Sequence, residues 1–233
     1  MSTIAIMQPY FMPYIGYFQM IGAADTFVVY DDVNFIKKGW INRNNILVNG
    51  KPHLFSLPLE NASQHKLINE TAIDQNTGWG NKFVKTLQLS YKKAPFFAAV
   101  FPLVNEIVMN RETNLAKYVA HSLHSVCSYL EIETNIIISS HIEKNNNFKG
   151  QDKIIEICTN LNASRYVNAI GGVALYNKEA FSYHQIDLKF IRSMPIVYSQ
   201  FSPEFIPNLS IIDVMMFNSP TEIQTMLKQY QLV

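Results

Sequence analysis

Cysteine is scarce in this sequence, and so is any excess of charge. Two cysteines occur, Cys127 and Cys158, set among apolar neighbours with no CxxC spacing. That pattern excludes a disulfide framework and a cysteine-based zinc site, and leaves two reduced, buried thiols. Lys and Arg number 19 against 18 Asp and Glu, a formal charge of +1. No long-range field follows that would draw in nucleic acid or an acidic membrane. Long apolar runs are missing as well: none approaches the ~18 residues of a membrane helix, so insertion into a bilayer is not expected. The first residues lack the basic region, apolar stretch and small-residue cleavage site of a signal peptide, and we expect a cytoplasmic location. Also absent are a GxSxG elbow, a P-loop and a full dinucleotide fingerprint. Their absence removes the most direct sequence routes to an α/β-hydrolase, an NTPase or a dinucleotide enzyme.

What is present fills a core. Of 233 residues, 48% are hydrophobic and 16% charged, enough for one large α/β domain. Residues 3–7 (TIAIM) and 27–30 (FVVY) are apolar runs without polar alternation, the pattern of strands buried on two faces. Residues 15–24 between them can form a crossover helix, giving a βαβ unit. Its right-handed crossover puts both strand ends, at Gln8-Pro9 and Asp31-Asp32, on one edge. Ligands of open α/β sheets bind at that edge. Residues 45–48 and 53–59 flank Asn49-Gly50-Lys51-Pro52; this predicts a hairpin, and Lys51-Pro52 suggests a loop longer than two residues. Residues 62–80 are polar and read as irregular. A helical block of about 79–131 follows. Phe83, Leu87 and Tyr91 share a face of its first helix, which stops at Ala94-Pro95. Residues 96–109 form the second. Leu115, Val119, Ser122, Val126 and Tyr129 line the inner face of the third. The tail alternates again, with strands at 135–138, 165–168 and 188–192 and helices at 152–161, 173–181, 211–217 and 221–230. With no repeat and no disordered linker, we expect a single domain over residues 1–233. It should be a three-layer, Rossmann-like α/β fold with a mainly parallel sheet, and a hairpin and helical block in mid-chain.

Two segments concentrate polar and aromatic groups. QPYFMPYIGY, residues 8–17, combines two prolines and a glycine with Tyr10, Phe11, Tyr14 and Tyr17. The prolines stiffen the turn. The rings either offer stacking faces and phenolic hydroxyls to a ligand or cover the top of the sheet. DDVNFIKKGWINRNN, residues 31–45, sets Asp31 and Asp32 at a strand end, followed by Lys37, Lys38, Trp40, Asn42, Arg43 and Asn44. A carboxylate there can hold magnesium, orient a hydroxyl or amine, or act as a base. Arg and Lys can clamp phosphate or carboxylate. The alternative is a polar loop tied by internal salt bridges, and one of the two aspartates is expected to be only a cap or loop ligand.

Weaker signals lie elsewhere. Gly171-Gly172 before a helix either brings backbone amides to a phosphate or makes a simple tight turn. His121 and His124 share a helix face with Lys117 and Ser128; that face reads as solvated, and no zinc is expected. Ser210 and Asp213 have the spacing of a capping box.

QPYFMPYIGYFQMI followed by ADTFVVYDDVNFIKKGWINRN resembles the WbqC-like family of bacterial proteins. YKKAPFF (91–97), ASRYVNAIGGVALY (163–176) and PNLSIIDVMMFNSP (207–220) extend the resemblance over nearly the whole chain. The resemblance implies a role in bacterial surface polysaccharide biosynthesis, especially of the O-antigen of lipopolysaccharide. It implies a transferase that attaches an amino acid such as glycine, or an acyl group, to the amine of a nucleotide-linked amino sugar. In that reading Gln8, Tyr10, Tyr14, Gly16 and Tyr17 shape the pocket, and Asp31 or Asp32 orients or deprotonates the amine. Lys38 and Arg43 hold phosphate or carboxylate, and Trp40 stacks on a base or sugar face. Asn42, Asn44, Gly171 and Gly172 complete the substrate surface. A second resemblance is to the opening of the HxGH nucleotidyltransferase superfamily, with Tyr14-Ile15-Gly16-Tyr17 in place of the signature and tyrosines for both histidines. It implies nucleotidyl transfer at a modified site, with ATP and magnesium. The rival from another class is a non-catalytic protein that binds a glycan precursor or a biosynthetic partner.

Overall fold

The computed structural model describes residues 2–201 and 204–233. The chain opens with β1 (Thr3–Met7), α1 (Ile15–Gly22) and β2 (Thr26–Val29). A hairpin of β3 (Arg43–Val48) and β4 (Lys51–Ser56) and the short strands β5 (Leu59–Glu60) and β6 (Ala72–Ile73) come next. Helices α2 (Trp79–Tyr91), α3 (Phe97–Val108) and α4 (Leu115–Tyr129) form the central block. Then follow β7 (Asn135–Ile138), α5 (Gly150–Asn160), β8 (Arg165–Ala169), α6 (Lys178–Tyr183) and β9 (Asp187–Ser193). The chain closes with α7 (Ile211–Phe217), α8 (Pro220–Leu227) and β10 (Tyr230–Leu232).

The main sheet has six strands in the order β10-β9-β8-β1-β2-β7. All neighbours pair parallel except β10, which runs antiparallel to β9 at the edge. From β1 the chain builds outward to β2 and β7, then returns to place β8 and β9 on the other side. That reversal between β1 and β8 is the topological switch of a Rossmann-like sheet, and crevices open above the strands' C-terminal ends there.

Strand side chains alternate between two cores, as a pleat requires. Ala5, Phe27, Val29, Val167 and Ile191 pack with α1, the helical block, α7 and α8. Ile4, Ile6, Val28, Tyr166, Leu188 and Phe190 pack with α5 and α6. Both faces are therefore covered by helices, which explains why the strand sequences are apolar without alternation.

Local differences from the sequence expectations have physical causes. The hairpin loop is two residues, Asn49 and Gly50, both at positive φ (51° and 73°), and Val48 pairs directly with Lys51. Pro52 faces Leu47 in the next pair, a position where the strands exchange no backbone hydrogen bonds, so its missing N–H costs nothing. Residues 170–175 form a 3-10 turn, and the following helix begins only at Lys178, capped by Asn177. The last helix stops at Leu227, and residues 230–232 become the edge strand β10. Ser210 caps α7 through the Ile212 N–H, but Asp213 does not reach back to it. Its carboxylate accepts instead from Tyr91 (2.7 Å), Tyr198 (2.7 Å) and Gln200 (2.8 Å). The reciprocal capping box occurs one helix later, between Ser219 and Glu222.

Candidate functional site

The loop after β1 is held rigidly. Met12 adopts a left-handed backbone (φ 46°), uncommon for a residue with a long side chain. Its carbonyl accepts from Asn44 Nδ2 (2.8 Å) and Ser210 Oγ (2.7 Å), and the Phe11 N–H donates to the Ile41 carbonyl (3.0 Å). The Tyr17 hydroxyl donates to the Gln8 carbonyl at 2.8 Å. Tyr17 is buried, and burial pushes its phenol well up, so it stays a neutral donor. It is therefore an internal strut. A residue at the second histidine position of HxGH would have to reach a phosphate, and Tyr17 is already committed within the fold.

At the end of β2 the two aspartates separate. Asp31 is buried and joins three chain segments: it accepts from the Ser140 N–H (2.9 Å), the Ser140 hydroxyl (2.6 Å) and Asn69 Nδ2 (3.2 Å). Asp32 turns into a cleft of about 800 Å³ whose walls include Tyr30, Asn69, Lys144, Phe148, Lys149 and Lys153. Lys144 and Lys153 lie 2.9 and 3.0 Å from Asp32 Oδ2, with all three side chains at most 10% exposed. Burial pushes the Asp32 carboxyl up, but Lys144, Ser139 and Lys153 outweigh it and hold the group below the usual carboxylate range. Asp32 is ionised at neutral pH. Both carboxylate oxygens are buried, and Oδ2 is held by the two ammonium groups.

The lysines are fixed by backbone as well. Lys144 donates to the Ser139 and Ile142 carbonyls, and Lys153 donates to the Asp32 carbonyl at 2.8 Å. Lys153 also lies 5.2 Å from the centre of the Tyr30 ring. Burial, then the Asp32 charge and the Tyr176 phenol, keep the Tyr30 phenol neutral. The helix α5 starts at this cleft with no side chain capping its first turn.

The remaining candidates fall elsewhere. Tyr10, Pro13, Tyr14, Trp40, Asn44 and Asn208 line a second slot of about 250 Å³. Tyr14 and Asn208 continue into a groove of about 400 Å³ beside Gly16, Ser193 and Pro207. Arg43 does not extend into the Asp32 cleft: its guanidinium donates to the Lys38 and Gly39 carbonyls and lies 5.7 Å from the centre of the Trp40 ring. Lys38 is exposed on that turn at φ 61°. Asn42 Nδ2 donates to the Leu57 carbonyl (2.8 Å), so it serves the hairpin base. Gly171 is exposed. Gly172 sits so close to buried Asn168 that a Cβ would lie 2.8 Å from its Oδ1, a packing reason for glycine. Among the described residues, no group of three or more His, Cys, Asp or Glu side chains is placed to hold a metal ion. No helix among them is long and apolar enough to cross a membrane.

Lys144 and Lys153 were not singled out from the sequence. Lys153 carried a signal: it stands four residues before Ile157, in phase with the buried stripe of α5. A lysine there needs a buried partner. Lys144 lies in a polar loop and carried none.

Comparison with known proteins places these features in a family. No solved structure matches the chain significantly. The uncharacterized protein Rv1507c of Mycobacterium tuberculosis (strain ATCC 25618 / H37Rv) is 28% identical over 231 residues, covering 98% of each chain. The model of the WbqC-like protein family matches residues 8–225, from the pinned loop after β1 into α8, and the chain belongs to that family.

Proposed function

We propose that this protein is a transferase of bacterial surface polysaccharide assembly that joins an amino-acyl or acyl group to the amine of a nucleotide-linked amino sugar. Family membership supports the pathway. The observation that carries the chemistry is Asp32, an ionised carboxylate held by two lysines in the wall of a ligand-sized cleft. An amine N–H entering the cleft donates to that carboxylate. Because the lysines hold Asp32 ionised, it is a weak base, and its main role is to orient the amine with the lone pair toward the acyl carbon. The N–C bond forms, the bond to the donor's leaving group breaks, and the amine proton passes to solvent. Tyr10, Tyr14 and Trp40 form a flat-walled slot suited to a sugar or base face.

The test begins with a thermal-shift screen of nucleotide sugars and aminoacyl donors. A ligand at a hundred times its dissociation constant adds about 2.7 kcal/mol of stability. Turnover is then measured on the binders with Asp32→Asn. We expect turnover to fall by about 10², roughly 3 kcal/mol of barrier, as lost positioning costs, with ligand affinity nearly kept. Normal turnover in that variant, or binding with no turnover for any donor and acceptor pair, would defeat the transferase reading and leave a binding protein.

A further inference from the structure

Charges in the Asp32 cleft do not balance. Asp32 pairs with both Lys144 and Lys153, so one carboxylate faces two buried ammonium groups. Lys149 adds a third cation to the same wall. Exposed Glu143 lines the same cleft and offsets exposed Lys149, Asp152 is also exposed, and half-buried Glu156 accepts from the Asn145 N–H, so the interior keeps two ammonium groups against the Asp32 carboxylate. A buried cation without a counter-charge is costly to keep, so one negative charge is missing from the interior of the cleft.

We infer that the cleft binds the phosphate of a phosphorylated small molecule, anchored by Lys149, Lys153 and Lys144. The inference rests on the proposed function in placing substrate in this cleft, but its charge argument needs no turnover. The chemistry favours phosphate over carboxylate. A phosphate carries up to two negative charges on one group where a carboxylate carries one, which suits several ammonium point charges converging on one wall, and the described walls of this cleft carry lysines alone as cations. The uncapped first turn of α5 opens onto the same space and adds backbone donors to the lysine charge. Phe148, 43% exposed, lines the same cleft and offers a ring face to the rest of such a ligand. The phosphate therefore belongs to the cleft wall that holds Asp32, and not to the Lys38–Arg43 turn, whose guanidinium is already used by backbone carbonyls.

Titration calorimetry with inorganic pyrophosphate, a sugar 1-phosphate and a nucleoside diphosphate tests this and separates the sources of the phosphate. The full chain should bind at least one of them, with affinity falling as salt rises. Lys149→Gln, at an exposed position, should weaken binding about tenfold. Lys153→Gln should abolish it, and amide shifts mapped by NMR onto residues 149–153 in the parent replace that variant should it not fold. Binding of none of the three probes at millimolar concentration overturns the inference, as does binding unaffected by Lys149→Gln together with shifts elsewhere. Turnover without phosphate binding would overturn it while sparing the transferase reading. Phosphate binding without turnover would do the reverse.

Discussion

Adjacent identical residues do different work here. Asp31 and Asp32 both follow β2, yet one turns inward to Ser140 and Asn69 and the other into the lysine cleft. The consequence is a separable pair of variants. Asp31→Asn replaces an oxygen that accepts from Ser140 or Asn69 with an amide donor, leaving buried donors facing one another. We expect it to cost about 1–3 kcal/mol of stability, read as a lower urea midpoint, while the folded fraction keeps its turnover. Asp32→Asn should show the converse pattern, a loss of rate out of proportion to any loss of stability. Equal effects of both variants on rate would mean that Asp31 also reaches the substrate. Sequence spacing alone could not separate them, because the difference lies in which neighbours each one meets and those neighbours are remote in the chain.

Among the elements, α1 and its preceding loop decide the shape of the aromatic slot. A Cβ on Gly16 would lie 2.3 Å from the Tyr14 ring and 2.7 Å from Ser193 Oγ. Both obstacles are ends of side chains, and alanine favours a helix by about 1 kcal/mol over glycine, so Gly16→Ala should leave stability nearly unchanged. It should instead swing the Tyr14 ring out of its place beside Trp40. With Trp79→Phe as background, the fluorescence of Trp40 reports the slot, and an emission spectrum identical to that of the Gly16 protein would show that the ring has not moved. The helix α7 was legible to the residue, with Ser210 as its cap, and the inner face of α4 was legible from its apolar stripe in a 3.6 period. The βαβ opening was legible for the same reason of pattern. Three features were not. Residues 230–232 become a strand because the edge of β9 offers backbone partners, a tertiary cause invisible in QYQLV. The helix after Gly171-Gly172 starts only at Lys178, because residues 170–175 turn over Asn168 first. The cleft itself assembles the end of β2 with a loop and helix more than a hundred residues later, as the Lys153 contact across 121 positions illustrates.

At the scale of the whole molecule, two buried carboxylates pull the stability curve in opposite directions with pH. Asp213 links the hairpin, α2 and α7: Tyr91 accepts from the Leu47 N–H at 2.7 Å and donates to Asp213 Oδ1. Burial raises the Asp213 carboxyl above its ordinary value, and its hydrogen bonds from Tyr198, Tyr91 and Gln200 only partly offset this. As pH falls, the folded protein therefore takes up that proton before the unfolded chain does. The folded state gains stability from Asp213 between its raised value and the unfolded value of about 3.9. Asp32 has the opposite sign: its folded value is lowered, so its contribution is complete above about 3.9 and is lost as pH falls through the folded value. The measurement is the urea midpoint of the parent, Asp213→Asn and Asp32→Asn at several pH values. Comparing each variant with the parent at the same pH cancels every other titrating group. From neutral pH down to about 4, the parent should gain stability relative to Asp213→Asn, whereas its margin over Asp32→Asn should hold there and shrink only below about 4. A constant offset between the parent and Asp213→Asn across that range would show that Asp213 titrates alike in both states. Its three hydrogen bonds would then balance its burial, and the link between hairpin and α7 would be indifferent to pH.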